Sequence, residues 1–82
     1  MRTMEWESNV WLALKSAVTE MPIFVRKKAL RKIVEASEGN ARGRNSKMVK
    51  AADVVAAVKE EVPRSVQDVC FNALRDYGIQ VH

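Results

Sequence analysis

Within the stretch Met21–Lys32, MPIFVRKKALRK, one aromatic ring and three cations recur at the spacing of a helix face: Phe24, Lys27, Lys28 and Arg31. Residues three, four and seven apart share one side of an α-helix. A ring flanked by ammonium and guanidinium groups suits a flat anionic ligand or a nucleic acid, because the ring stacks while the cations neutralise carboxylates or phosphates. Arg26 raises a different question. At 100° per residue it falls on an apolar arc with Ile23, Val25, Ala29, Leu30, Ile33, Val34 and Ala36, where a guanidinium needs a partner or must snorkel to water. Phe24, conversely, falls among Lys27, Lys28, Arg31, Lys32, Glu35 and Glu38. A plainer reading stands beside the functional one. The charged arc is then a solvated face with an Arg31–Glu35 pair, and Phe24 turns against the end of the preceding helix.

Other chemistry finds little support in the residues. The segment GNARGRNSK superficially suggests a phosphate-binding loop, but it lacks the glycine spacing, the Lys-Ser/Thr step and the preceding strand of a Walker motif. Cys70, the one cysteine, lies on the apolar stripe of its helix with no histidine near it in sequence, which predicts a buried structural thiol of low reactivity. His82, the one histidine, is the last residue. No two carboxylates are placed on an apolar face where burial would raise one pKa, so general acid–base catalysis has no visible candidate. A single cysteine excludes an internal disulfide and cannot alone hold zinc or an iron–sulfur cluster. Neither an independent enzymatic activity nor a bound cofactor or metal is expected.

The elements that must position the basic face read as helices. Val10, Leu14, Ala17, Val18 and Met21 form an amphipathic stripe over about 8–20, with Ser8 as N-cap and Trp6 one turn earlier. Pro22 opens a second helix to about Ser37, since its missing N–H falls among donors that lack partners there anyway. SEGNARGRNSK then collects Gly39, Asn40, Gly43, Asn45 and Ser46 and predicts a basic loop over 39–47. A third helix over about 51–61 faces inward with Ala51, Val54, Val55, Val58 and Val62 before Pro63 limits it. A fourth follows over 63–77. There Ser65 and Asp68 have capping-box spacing, Val66, Val69, Cys70, Ala73 and Tyr77 make the inner stripe, and Gly78 suits the C′ position. No strand signal appears. The expected fold is all-α, one domain over 1–82 built as a compact bundle of three to four short helices.

Composition agrees with a small globular domain and limits its partners. The 82 residues are 48% hydrophobic, 29% charged and 6% aromatic, with a formal net charge of +4. That charge is concentrated. Residues 26–50 carry nine basic side chains against Glu35 and Glu38, a balance of +7, whereas 1–25 sum to −1 and 51–82 to −2. The middle segment therefore invites an anionic partner. A small nucleic-acid-binding protein using 26–50 is one alternative, although no recognised DNA-binding signature accompanies the charge. A structural assembly subunit, burying Trp11 and Phe71 against another chain, is another. No uncharged run approaches the ~18–20 residues of a membrane span, and MRTMEWESNV has no apolar signal region, so a cytoplasmic location is expected.

The order of Trp6, an Ala/Leu-rich helix, Met21-Pro22-Ile23-Phe24-Val25-Arg26 with Lys28, Arg31 and Glu35 after it, and then Val49 and Val54, resembles one known family. It is similar to the small C-terminal helical domain of the B subunit of light-independent protochlorophyllide reductase. PIFVRKKALRKIVE carries the likeness through that family's Pro-x-Phe-Val-Arg core. The likeness covers about 6–60. It departs from the family at Ala41-Arg42-Gly43, where the Ala-Arg-then-Gly step comes late, and at Lys50 after Val49. It leaves the last helix, 63–77, uncovered. The resemblance implies an accessory domain associated with tetrapyrrole reduction and no electron transfer by this chain itself. The Pro22–Arg31 face would bind a partner protein or an anionic tetrapyrrole, with Phe24, Arg26, Lys27, Lys28 and Arg31 as the expected contacts.

Overall fold

The computed structural model describes residues 2–81. Four helices, α1 (Ser8–Thr19), α2 (Ile23–Gly43), α3 (Ala51–Glu61) and α4 (Arg64–Asp76), are joined by short turns. Two short strands, β1 (Glu5–Trp6) and β2 (Met48–Val49), pair in parallel, with Glu5 opposite Met48 and Trp6 opposite Val49. The fold is all-α apart from this ribbon. Met1 and the C-terminal His82 lie outside the described residues.

The core follows the apolar periodicity where it is strongest. Val10, Leu14, Ala17, Val18 and Met21 are all buried, as are Val54, Val55 and Val58 of α3. α1 packs chiefly on α4 and α2 chiefly on α3. The Tyr77–Ile79 turn ends α4 as a Schellman motif, in which Gly78 takes φ +79° and the Ile79 N–H reaches back to the Leu74 carbonyl at 3.1 Å. Burying Ile79 against Leu74 completes that motif.

Several expectations are corrected. α2 does not stop at Ser37 but runs to Gly43, so the basic loop shrinks to residues 44–47. Ser37, Glu38 and Ala41 are buried, and their tertiary contacts outweigh the modest helix penalty of Gly39 and Asn40. The chain turns at Asn45, whose φ of 60° takes the left-handed position usually given to glycine; the Ser46 N–H closes the turn on the Ala41 carbonyl. Trp6 belongs to β1 and not to a helical turn, a strand too short to show alternation. Glu7, without a side-chain cap, stands where Ser8 was expected, and α4 begins directly after Pro63 without a Ser65–Asp68 box. The inner face of α4 is Cys70, Phe71, Ala73 and Leu74; Val69 and Tyr77 are exposed, and Phe71 is buried instead of free for another chain. Trp11 is half-buried, edge-on to Trp6 at 5.2 Å and capped by the Arg2 guanidinium at 4.4 Å.

Arg26 resolves its own misfit at the α1–α2 junction. Its Nε donates to the Met21 carbonyl at 2.9 Å and its Nη2 to the Thr19 carbonyl at 2.8 Å. The partner is therefore backbone and not an acid: a cation placed at a helix C-terminus, where carbonyls lack intrahelical donors. An aliphatic replacement cannot supply these donors. Arg26→Ala and Arg26→Met are both expected to lose about 1–2 kcal/mol in thermal or urea melts, with Arg26→Lys intermediate. Equal melting of Arg26→Met and the parent would show that the two carbonyl contacts contribute nothing.

Candidate functional site

α2 begins directly after Pro22. Ile23, which the wheel assigns to the apolar arc, is 77% exposed there. Phe24 is 85% exposed, so its ring does not fold back on α1. Lys27, Lys28 and Arg31 are exposed beside it, and the four side chains line a shallow depression of about 250 Å³. Arg31 makes no ion pair with Glu35; among the described residues the ion pairs are Arg42–Glu38 and Arg44–Asp53. Among the described residues no ion pair therefore involves the cations around Phe24. Of the five residues predicted to form the site, the structure brings four together and turns Arg26 away to the Thr19 and Met21 carbonyls at the α1–α2 junction.

The +7 segment divides into two populations. Arg42 lies 3.7 Å from Glu38 and also donates to the Thr3 hydroxyl at 2.7 Å. Arg44 makes a two-point contact with Asp53, Nε to Oδ1 at 2.9 Å and Nη2 to Oδ2 at 2.6 Å. With Arg26 these arginines hold the fold, although Arg42 and Arg44 stay partly exposed; Lys27, Lys28, Arg31 and Lys32 are the exposed cations in the first half of α2.

Two buried carboxylates were not anticipated. Glu38 is 3% exposed and accepts from the Thr3 N–H at 2.9 Å, the Thr3 hydroxyl at 2.6 Å and the Trp6 indole N–H at 3.0 Å. Burial alone would raise its pKa, but the Thr3 and Trp6 donors together hold it below its ordinary value. Asp53, 2% exposed, is likewise pushed up by burial and brought below its ordinary value by Arg44 and the Lys50 N–H. Such donor-saturated anions fix elements and have no proton to give at neutral pH. The 32-residue separation of Trp6 and Glu38 hid the first from any local pattern. Asp53 at the third position of α3 had a weak signal, since its Oδ2 accepts the Lys50 N–H at 3.0 Å in the manner of a capping box.

A second concavity, about 320 Å³, lies between the start of α2 and the α3–α4 junction. Met21, Pro22, Val25, Val62, Pro63 and Val66 give it an apolar lining. It is assembled from three separate chain segments, so no single stretch announces it. Cys70 is elsewhere, fully buried, with burial pushing its thiol up to about 11. Among the described residues no cluster of three His, Cys, Asp or Glu side chains is placed to hold a metal ion, and no helix is long and apolar enough to cross a membrane. Comparison with known protein families, characterised proteins and solved structures finds no match.

Proposed function

We propose that this chain is a non-catalytic accessory domain associated with tetrapyrrole reduction, and that its Phe24, Lys27, Lys28 and Arg31 face binds an anionic tetrapyrrole or the partner protein that carries one. The observation that supports this most is Phe24: a ring 85% exposed, set among three cations that make no ion pair among the described residues. An extended macrocycle would lie on the Phe24 ring while its carboxylates meet the Lys27, Lys28 and Arg31 side chains. The resemblance of PIFVRKKALRKIVE to the protochlorophyllide reductase domain supplies the tetrapyrrole class. Arg26 then acts indirectly, by fixing the angle at which α2 leaves α1.

The test is an NMR shift titration of the intact chain with a porphyrin bearing propionates and with its methyl ester. Shifts centred on Phe24, Lys28 and Arg31, given by the acid and much weaker with the ester, are expected. Phe24→Ala should abolish most of that binding while costing less than about 0.5 kcal/mol of stability, as for other exposed positions. Ile33→Ala, on the buried side of the same helix, should do the reverse. If Phe24→Ala binds like the parent, the ring has no part in recognition and the proposal fails.

The nucleic-acid alternative is weakened by the arginines at 26, 42 and 44, which are engaged within the fold. Little DNA or RNA binding is expected near physiological salt. Submicromolar binding there, falling with a log–log salt slope of about −0.9 per phosphate and reduced by charge reversal at Lys28 and Arg31, would favour that reading instead.

A further inference from the structure

We propose that the apolar groove between the start of α2 and the α3–α4 junction seats a bulky apolar side chain from an acidic segment of a partner protein. The inference rests on reading the chain as an accessory binding domain, but its groove is distinct from the Phe24 depression, with Lys28 standing between the two. Pro22 and Pro63 stand at the starts of α2 and α4, with φ of −53° and −57°, and their rings hold two of the groove's walls in place. Val25, Val62 and Val66 complete it with β-branched side chains of few rotamers. Such a groove is formed before binding, so little ordering opposes association.

Its size and surroundings specify the occupant. At about 320 Å³ it stands at the bottom of the roughly 300–1,000 Å³ range of small-molecule sites, which is room for one or two side chains. On the α2 side, Lys28 and Lys32 each lie three residues beyond a lining residue, Val25 and Ala29, and so border the groove along the helix. Arg64 is exposed immediately after Pro63 on the opposite side. Among the described residues none of these three cations belongs to an ion pair. Glu61 is the one acid in the lining and sits on the α3 side, so acidic residues of the partner are directed toward α2. A second copy of this chain is a poor occupant, because facing α2 helices would bring Lys28 and Lys32 against their own equivalents. Nucleic acid is poorer still, since an apolar groove offers its phosphates no donors.

The experiment is selection of a phage-displayed library of short random peptides on the intact chain, with the enriched peptides then synthesised and titrated. Enriched sequences are expected to combine a Leu, Ile, Phe or Trp with an excess of Asp and Glu, and to shift the amide signals of Val25, Ala29 and Val66. Ala29→Leu, which fills the groove from a half-buried helical position, should weaken them at least tenfold, about 1.4 kcal/mol. Lys28→Glu/Lys32→Glu changes only exposed side chains and should weaken them as much, so the outcome does not depend on how Ala29→Leu folds. Porphyrin binding by Ala29→Leu should remain at the parental level, which separates failure of this proposal from failure of the Phe24 reading. Failure of any peptide to enrich, enrichment without an acidic bias, binding indifferent to both variants, or a concentration-dependent dimer abolished by Ala29→Leu would each overturn it.

Discussion

Glu38→Ala is expected to be the most damaging single truncation of a polar side chain in this fold, with a loss of about 3–4 kcal/mol in urea or thermal unfolding. Three donors converge on that carboxylate, and one of them, the Trp6 indole N–H, is itself buried. Removing the acceptor strands the indole proton away from water and frees Thr3, on which Arg42 also depends. The described segment before α1 would then keep the β1–β2 pair, the Glu7 N–H to Val49 carbonyl bond, the core packing of Met4 and Trp6, and the contacts of Trp11 with Trp6 and Arg2. Trp6→Phe offers the internal comparison. It keeps most of the ring but deletes the indole donor, and should lose roughly half as much, because Glu38 retains its two Thr3 contacts. Hydrogen exchange gives an independent readout: the Thr3, Trp6 and Glu7 amides should lose protection in Glu38→Ala before the amides of α3 do. Equal protection in parent and variant would show that Glu38 does not hold the N-terminal segment.

What the sequence discloses here depends on how local each signal is. The α1 stripe and the inner face of α3 are dense, regular and followed by a proline or a turn, and they are buried as read except for Ala51, which is half-buried. Gly78 was legible for the same reason, since a glycine after a periodic run has one common use. The end of α2 was not legible. Residues 39–45 carry every local mark of a loop, yet Ser37, Glu38 and Ala41 are buried, and the packing of α2 on α3 continues the helix past them. Asn45 then does the work that the eye assigns to Gly39 or Gly43. On α4 the phase was off by one step, because Val66 and Val69 begin the apolar run but Phe71 and Leu74 decide which side faces α1.

The candidate site divides along the same line. Phe24, Lys27, Lys28 and Arg31 share one helical face, so a wheel suffices to group them, and their exposure follows from the same wheel. Arg26 and Ile23 break the wheel at the start of α2: the Arg26 guanidinium meets the carbonyl at the α1 C-terminus, and Ile23 is left 77% exposed. A residue that violates periodicity near a helix end therefore reports on the junction before it reports on a ligand.

Acid is expected to loosen this fold through Asp53 and Glu38 together. Both carboxyls titrate below their ordinary values of 3.8 and 4.5 in the folded chain, so on acidification the unfolded chain takes up these two protons first. The sign follows directly: the stabilisation is complete above about pH 5.5, diminishes as pH falls through the ordinary carboxyl range, and is gone once the folded carboxyls protonate. Asp53 carries the part of this that can be isolated. It joins the end of α2, through Arg44, to the start of α3, through the Lys50 N–H, and a negative charge at that position also favours the α3 N-terminus. Asp53→Asn should therefore cost about 2–3 kcal/mol at pH 7. Near pH 3 the difference from the parent should shrink, because the unfolded parent has by then taken up a proton at Asp53 and the advantage of the folded carboxylate is partly lost. Arg44→Gln leaves Asp53 buried with its helix-cap bond alone, and should move the acid transition to higher pH without removing it. Unfolding free energies of the three proteins between pH 3 and 7 test the assignment. Parallel curves for Asp53→Asn and the parent would mean that the acid sensitivity resides in other carboxylates and that the Arg44–Asp53 link adds nothing to it.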